Sequence, residues 1–235
     1  MNIKAIYKQG ICITKDILFP AYCLGCGKEG ILVCKDCLQT LDCSGVFCCP
    51  VCHASSLNGK VCEICMAQSY LDRHVAITQY KEKGLVGDML HMFKYSYVED
   101  MAQILRDMAI KFSQVYSFDV DIVVCVPLHR RRLAQRGFNQ AEEIARISSQ
   151  VFDIPFHSIL RRCRHTRQQA KLNREGRLVN LIDAFEIIKN DFDLNNKRVL
   201  LVDDVLTTGS TMQECAKVLK GAGAKEVIGF SVARG

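Results

Sequence analysis

The chain of 235 residues contains no tryptophan, and aromatic side chains make up only 8% of it. Proteins that hold single-stranded nucleic acid without reading its sequence stack bases on rings. Here such platforms are few: Tyr22, Phe47, Tyr70, Tyr95, Tyr97 and Phe138. No stretch approaches the ~18 apolar residues of a membrane-spanning helix, which argues against membrane insertion. Lys15 and Asp16 interrupt the N-terminal segment, so a secretory signal is not expected and a cytoplasmic location is. Two glycine loops that cradle nucleotide phosphates are also missing: there is no G-x-x-x-x-G-K-[ST], and no G-x-G-x-x-G opens a helix. Low-complexity tracts are absent.

Cysteine, by contrast, is abundant and unevenly placed. Eleven of the 14 cysteines precede residue 66, and only Cys125, Cys163 and Cys215 follow it. Eight of them form four Cys-x-x-Cys knuckles: Cys23/Cys26, Cys34/Cys37, Cys49/Cys52 and Cys62/Cys65. A two-residue spacer aims both sulfurs of a knuckle at one ion, and two knuckles complete a tetrahedral zinc site. Gaps of seven and nine residues within the two successive pairs suit small ribbons. Redox or disulfide use is the alternative. Sites with four cysteine ligands are closed to substrate, so the expected role is structural. The segment is poor in large apolar residues, and metal binding of the order of 10–16 kcal/mol per site would supply its stability. Two such centres, each carrying net −2, bring the formal charge of +6 to about +2. Cys12, Cys43 and Cys48 are left over. Cys48 adjoins Cys49 and competes with it as a ligand, and pairing across knuckles or a single zinc also fits the spacing.

Beyond residue 71 the pattern alternates. "HVAITQY" (74–80), "DIVVCVPL" (121–128), "VLLVDD" (199–204) and "EVIGFSVA" (226–233) read as strands. Met101, Ile104, Leu105, Met108, Ala109 and Phe112 recur at helical spacing, as do Phe138, Ala141, Ile144, Ala145 and Ser148. A third helix follows Gly209, with Met212, Cys215, Ala216 and Leu219 inward, and Gly221 and Gly223 stop it. Strand and helix in alternation predict an α/β fold with an open parallel sheet. Cys125 and Cys215 read as core residues.

Such sheets bind ligands at the carboxyl ends of their strands. There "VLLVDDVLTTGST" (199–211) places two acids and then a hydroxyl-rich turn ahead of a helix. Turn amides and the positive end of the helix dipole attract an anion. Adjacent carboxylates suit sugar hydroxyls or a divalent cation. The ligand implied carries a phosphate and vicinal hydroxyls with Mg²⁺, as a ribose 5-phosphate does. Between His129 and Arg177 stand 12 Lys/Arg against 4 Asp/Glu, a patch that attracts phosphate on a small molecule or a nucleic acid.

The segment "VLLVDDVLTTGST" resembles the phosphoribosyl pyrophosphate (PRPP) loop of type I phosphoribosyltransferases. With "VPLHRRRLAQRGFNQAEEIA" and "TRQQAKLNREGRLVNLIDAF", nearly the whole chain resembles the ComF/GntX group, competence-associated proteins with an N-terminal double zinc ribbon. The resemblance implies a double zinc ribbon over 1–70 and a phosphoribosyltransferase-like domain over 71–235. It implies that Asp203 and Asp204 hold the ribose hydroxyls and that Thr207, Thr208, Gly209, Ser210 and Thr211 wrap the 5-phosphate. Leu128 and His129 would lie near the pyrophosphate, with Arg130, Arg131 and Arg132 adding charge. The basic segment 164–177 would close over the site, and its Lys171 or Arg174 would join the two acids in catalysis by neutralising the leaving pyrophosphate; solvated charge is the plain alternative for each. Arg136, in "RGFN", reads equally as a helix start or a functional residue. Purine-using relatives often carry an Asp where Thr207 stands, which counts against a purine acceptor. Three roles follow: a transferase of unstated acceptor, a single-stranded-DNA-binding competence factor for which PRPP is a regulator or relic, and docking of other competence or DNA-processing proteins by the ribbons.

Overall fold

The computed structural model describes residues 21–94, 98–164, 183–188 and 192–235. Its core is a five-stranded sheet in the order β1-β2-β7-β6-β3. The strands are β1 (Val46–Phe47), β2 (Arg73–Gln79), β3 (Ile122–Cys125), β6 (Arg198–Leu206) and β7 (Glu226–Arg234). All neighbours are parallel except β1, which pairs antiparallel with β2. Strands β4 (Leu160–Arg162) and β5 (Phe185–Ile187) form a separate antiparallel pair. Val199 to Val202 of β6 and Val123 and Val124 of β3 are fully buried, as unbroken apolar runs covered on both faces require.

The helices are α1 (Lys35–Gln39), α2 (Leu85–Phe93), α3 (Val98–Ser113), α4 (Arg130–Arg136), α5 (Gln140–Phe152) and α6 (Ser210–Gly221). The predicted apolar stripes are the buried ones: Met101, Leu105, Met108 and Phe112 on α3, Ala141, Ile144 and Ala145 on α5, and Met212, Cys215, Ala216 and Leu219 on α6. The rings that are scarce in this chain are spent largely in the core, where Phe112, Tyr116, Phe118, Phe152 and Phe230 pack edge-on and stacked.

Three boundaries differ from the sequence reading. The run 121–128 forms a strand only over Ile122–Cys125, because Pro127 lacks the donor a ladder needs. Phe138 precedes α5 instead of joining it, because Asn139 caps that helix by accepting from the Ala141 N–H. Strand β6 runs on through both acids to Leu206, held by pairing with β7 up to Arg234.

Topology sets the site. From β2 the chain crosses to the edge strand β3 and leaves it outward, through α5, to a parallel bridge between Phe156 and Val123. From β6 it leaves inward, through α6, to β7. Neighbouring strands β3 and β6 therefore send their connections in opposite directions. The gap between their carboxyl ends is the switch point where open α/β sheets bind ligands.

Candidate functional site

At that switch point lies a cleft of about 710 Å³. One wall is the end of β6 and the turn after it: Asp203, Asp204 and Val205 through Met212. The other comes from the loop after β3, from α4 and from the start of α5: Val126, Pro127, Leu128, Arg132, Arg136, Asn139 and Gln140. Lys94 and His91, from the end of α2, and Arg162 of β4 complete it.

The two acids differ in environment. Asp204 faces the Lys94 ammonium at 3.6 Å. Burial and the neighbouring Asp204 charge push the Asp203 carboxyl well above the usual carboxylate range, while its own acceptance of the Asp204 N–H at 2.9 Å opposes the rise. Asp203 retains some solvent access through the cleft, which tempers that shift. A cation or a hydroxyl donor entering here would relieve the repulsion. Donors and charge of this kind fit Mg²⁺ and a vicinal diol.

Beyond the acids, Gly209 sits at φ 74 as the N-cap of α6, a left-handed conformation that favours glycine. A Cβ there would stand 3.3 Å from the Pro50 carbonyl, so the turn is backed by the third cysteine knuckle. The first amides of α6 have no partner within the helix and point out of its end. Thr208 and Ser210 hydroxyls lie 3.1 Å apart beside them. Such a turn can hold a phosphate.

Of the residues singled out from sequence, Asp203, Asp204, Thr207, Thr208, Gly209, Ser210, Thr211 and Leu128 line this one cleft. His129 is buried as the N-cap of α4, where its Nδ1 accepts from the Arg131 N–H at 3.2 Å. Arg130 and Arg131 are exposed and do not line the cleft; Arg132 does. Lys171 and Arg174 lie outside the described residues. Sequence reasoning did not single out Lys94, Arg162 or Gln140, whose positions depend on chain reversals that no local motif announces. Of the six rings considered as stacking platforms, Phe47 packs on Tyr116 and Phe138 on Phe93, Tyr22 and Tyr70 are exposed, and Tyr95 and Tyr97 lie outside the described residues.

The cysteines gather as two quartets, Cys23/Cys26/Cys34/Cys37 and Cys49/Cys52/Cys62/Cys65, with sulfurs within 4.8 Å of one another in each. Pairs in sequence order, not crossed ones, make each cluster, and Cys48 belongs to neither. Tetrahedral Zn–S bonds of ~2.3 Å place sulfurs about 3.8 Å apart. Cys26 to Cys34 and Cys52 to Cys62 both measure 3.7 Å, so each quartet fits a structural zinc. Burial raises the Cys23 thiol, but N–H groups of Cys34, Gly25 and Cys26 outweigh it and bring it down to about 6. Cys49 likewise falls to about 6 against its burial, through N–H groups of Cys52, Cys62 and Val51. Backbone donors thus favour the thiolate at one cysteine of each cluster, while the neighbouring Cys34 and Cys62 sulfurs, and then burial, raise Cys37 and Cys65.

The first quartet rests on α2 and α3: Gly25 approaches Leu85, and Lys111 donates to the Leu38 carbonyl at 3.0 Å. The second lies against α6 and the end of β7. The buried Arg234 points a guanidinium nitrogen at the Cys49 carbonyl, 3.5 Å away. The Gln213 side chain of α6 accepts from the Tyr70 N–H and donates to the Ser69 hydroxyl. No described helix is long and apolar enough to cross a membrane.

A family model described as a phosphoribosyl transferase domain matches residues 95–234. The competence protein ComFC of Streptococcus pneumoniae is 30% identical over 206 residues, 86% of this chain and 87% of that one. Competence protein F of Haemophilus influenzae is 37% identical over 115 residues, a match that spans 48% of this chain and only half of that protein. Among solved structures, the glutamine PRPP amidotransferase of B. subtilis superposes with a TM-score of 0.41 at 15% identity, over 60% of this chain and 30% of that one. The domain match and the near full-length similarity to ComFC agree with the paired cysteine clusters and the switch-point cleft, and the chain belongs to the ComF family of phosphoribosyl transferase domain proteins.

Proposed function

We propose that the chain binds PRPP together with Mg²⁺ in this cleft and acts in the uptake or use of external DNA. One observation carries the reading: the adjacent acids and the α6 N-terminal turn open on the same cleft at the sheet's switch point. One end of the pocket suits a 5-phosphate, and the two carboxylates beside it suit the vicinal hydroxyls of the same sugar. Mg²⁺, when bound, supplies positive charge between carboxylates and phosphates. The role in DNA uptake is supported by the relatives' names, which describe competence proteins.

If the sugar is transferred, the bond from C1 to the pyrophosphate oxygen breaks and one from C1 to the acceptor forms. The electron pair leaves with pyrophosphate, and the acceptor gives up a proton. Arg132, Arg136 and Arg162 stand in the cleft to stabilise that departing charge. Lys94 stands 3.6 Å from the Asp204 carboxylate and orients it.

A second reading is favoured by Arg130 and Arg131, which are exposed and do not line the cleft. They offer charge to a nucleic-acid backbone, with the bound sugar phosphate acting as a regulator. Calorimetry with PRPP, with and without Mg²⁺, tests the first reading. Binding is expected in the wild type and loss of at least tenfold in Asp203→Asn/Asp204→Asn. No heat and no melting shift with abundant Mg²⁺ would overturn it. Pyrophosphate release, measured with candidate acceptors, separates turnover from binding. Salt-sensitive single-stranded-DNA binding lost in Arg130→Ala/Arg131→Ala supports the second reading.

A further inference from the structure

Arg234 ends strand β7 and is only 2% exposed. An arginine is rarely so buried unless an opposite charge meets it. No carboxylate does so here: Arg234 takes part in none of the ion pairs among the described residues. Neutral acceptors meet its guanidinium instead. Nη1 lies 3.4 Å from His74 Nδ1, and Nη2 lies 3.5 Å from the Cys49 carbonyl. Both are long against the ~2.9 Å usual for an N–H donor. The sense of the first contact follows from its neighbours. The Ser231 hydroxyl donates to the Ala233 carbonyl at 2.9 Å, so its oxygen accepts from His74 Nε2–H at 3.1 Å, and Nδ1 is left bare towards Arg234. The imidazole accepts a hydrogen bond there and offers no countercharge.

The groups that favour the Arg234 charge are sulfurs of the second cysteine segment. Burial lowers its pKa most, and Cys48, then Cys49 and then Cys52 act in the opposite direction. Cys49 and Cys52 belong to the second quartet, and a zinc held by four thiolates carries net −2. A buried cation and an anionic metal centre thus face one another. Arg234 also reaches both ends of the turn before α6. Its backbone pairs with Leu206, whose carbonyl accepts from the Gly235 N–H at 3.0 Å, and Thr207 follows directly. Its side chain reaches the Cys49 carbonyl, and the carbonyl of the next residue, Pro50, backs Gly209.

We infer that Arg234 is the buried counter-ion of the second metal centre and the positioning residue through which that centre holds the turn from Leu206 to Gly209. Zinc in the second quartet and a phosphate at the turn then favour each other, by the same factor in both directions, because binding linkage is reciprocal. The coupling to phosphate rests on the PRPP reading of the cleft; the counter-ion role does not.

The test compares the full zinc-loaded chain with Arg234→Gln, which keeps an amide donor and removes the charge, and Arg234→Lys, which keeps the charge. A chelator is titrated in, and zinc loss is read quartet by quartet as alkylation of the exposed Cys26 and Cys52 by mass spectrometry. In Arg234→Gln the Cys52 midpoint should come at roughly tenfold less chelator, and in Arg234→Lys within about threefold of wild type. The Cys26 midpoint should not move. Saturating ribose 5-phosphate should protect Cys52 about fivefold in wild type and in Arg234→Lys, and leave Arg234→Gln unprotected. Thermal melts separate this role from plain packing. Arg234→Gln should melt below wild type with zinc but no lower than wild type without it, since a buried charge stripped of its counter-ion is itself a cost. Unchanged Cys52 midpoints, equal shifts at both quartets, or a lower melting temperature in either metal state would overturn the inference. Ribose 5-phosphate that gives no heat and no protection in wild type would sink the PRPP reading, while the chelator midpoints still decide the counter-ion.

Discussion

Asp203 carries an unusual thermodynamic signature for an acid in a folded protein. Its proton is held more tightly in the fold than in the unfolded chain. Between the ordinary carboxylate range and its raised value the native state therefore keeps a proton that the unfolded state has lost, and stability falls as pH rises. Asp203→Asn removes the charge and keeps an oxygen to accept from the Asp204 N–H. Thermal melts should show this variant more stable than wild type at neutral pH, with the gap closing towards pH 4. Ligand binding should run the other way: Mg²⁺ needs the ionised form, so its affinity for wild type should climb with pH. Gly209 is the second residue to probe. Its φ of 74 costs an alanine ~1–2 kcal/mol. The new Cβ would also press within 3.3 Å of the Pro50 carbonyl. Gly209→Ala should lower the melting temperature slightly and weaken ribose 5-phosphate binding by a larger margin, read by calorimetry.

At the level of elements, short β1 and the 3₁₀ turn at Leu57–Gly59 fasten the cysteine-rich segment to the sheet. Strand β1 extends the sheet past β2, and it lies in sequence between the two clusters. Gly59 packs directly against β2: a Cβ there would fall 2.0 Å from the His74 carbonyl, at a φ of 70. Gly59→Ala therefore requires the turn to lift off the strand, and a loss of roughly 2–4 kcal/mol is expected from denaturant unfolding. His74 lies beneath that contact, fully buried, its Nε2 3.1 Å from the Ser231 hydroxyl. Burial first, and then the nearby Arg234 charge, lower its pKa well below the usual histidine value, so it is neutral in the fold. Acidification must charge it on unfolding, and stability should be lost as pH drops below the ordinary histidine range.

Across the whole molecule, the two cysteine quartets do different mechanical work. The first rests on α2 and α3. The second supports the turn at Gly209 through Pro50 and joins α6 through Gln213. Serine substitution in the second quartet, such as Cys52→Ser, should weaken ribose 5-phosphate binding about tenfold as well as lowering the melting temperature. Cys26→Ser in the first should lower stability and leave affinity within about twofold. Equal effects of the two on affinity would contradict this division.

The amino-acid sequence by itself determined a good deal of this protein. The knuckle spacing identified all eight cysteines of the two quartets, because a two-residue turn is a local geometry. The apolar periods of α3, α5 and α6 and the buried runs of β3, β6 and β7 were legible for the same reason: burial on one face repeats every 3.6 residues, and burial on both leaves no alternation at all. The acids and the hydroxyl-rich turn were legible because strand, turn and helix follow one another without interruption. Only the tertiary structure decided which cysteines share a cluster, that the second cluster backs Gly209, and that Lys94, Arg162 and Gln140 meet the Asp203–Thr211 segment in one cleft. Those contacts join residues tens to more than a hundred positions apart, and which of them form depends on strand order and crossover direction, which local pattern does not encode.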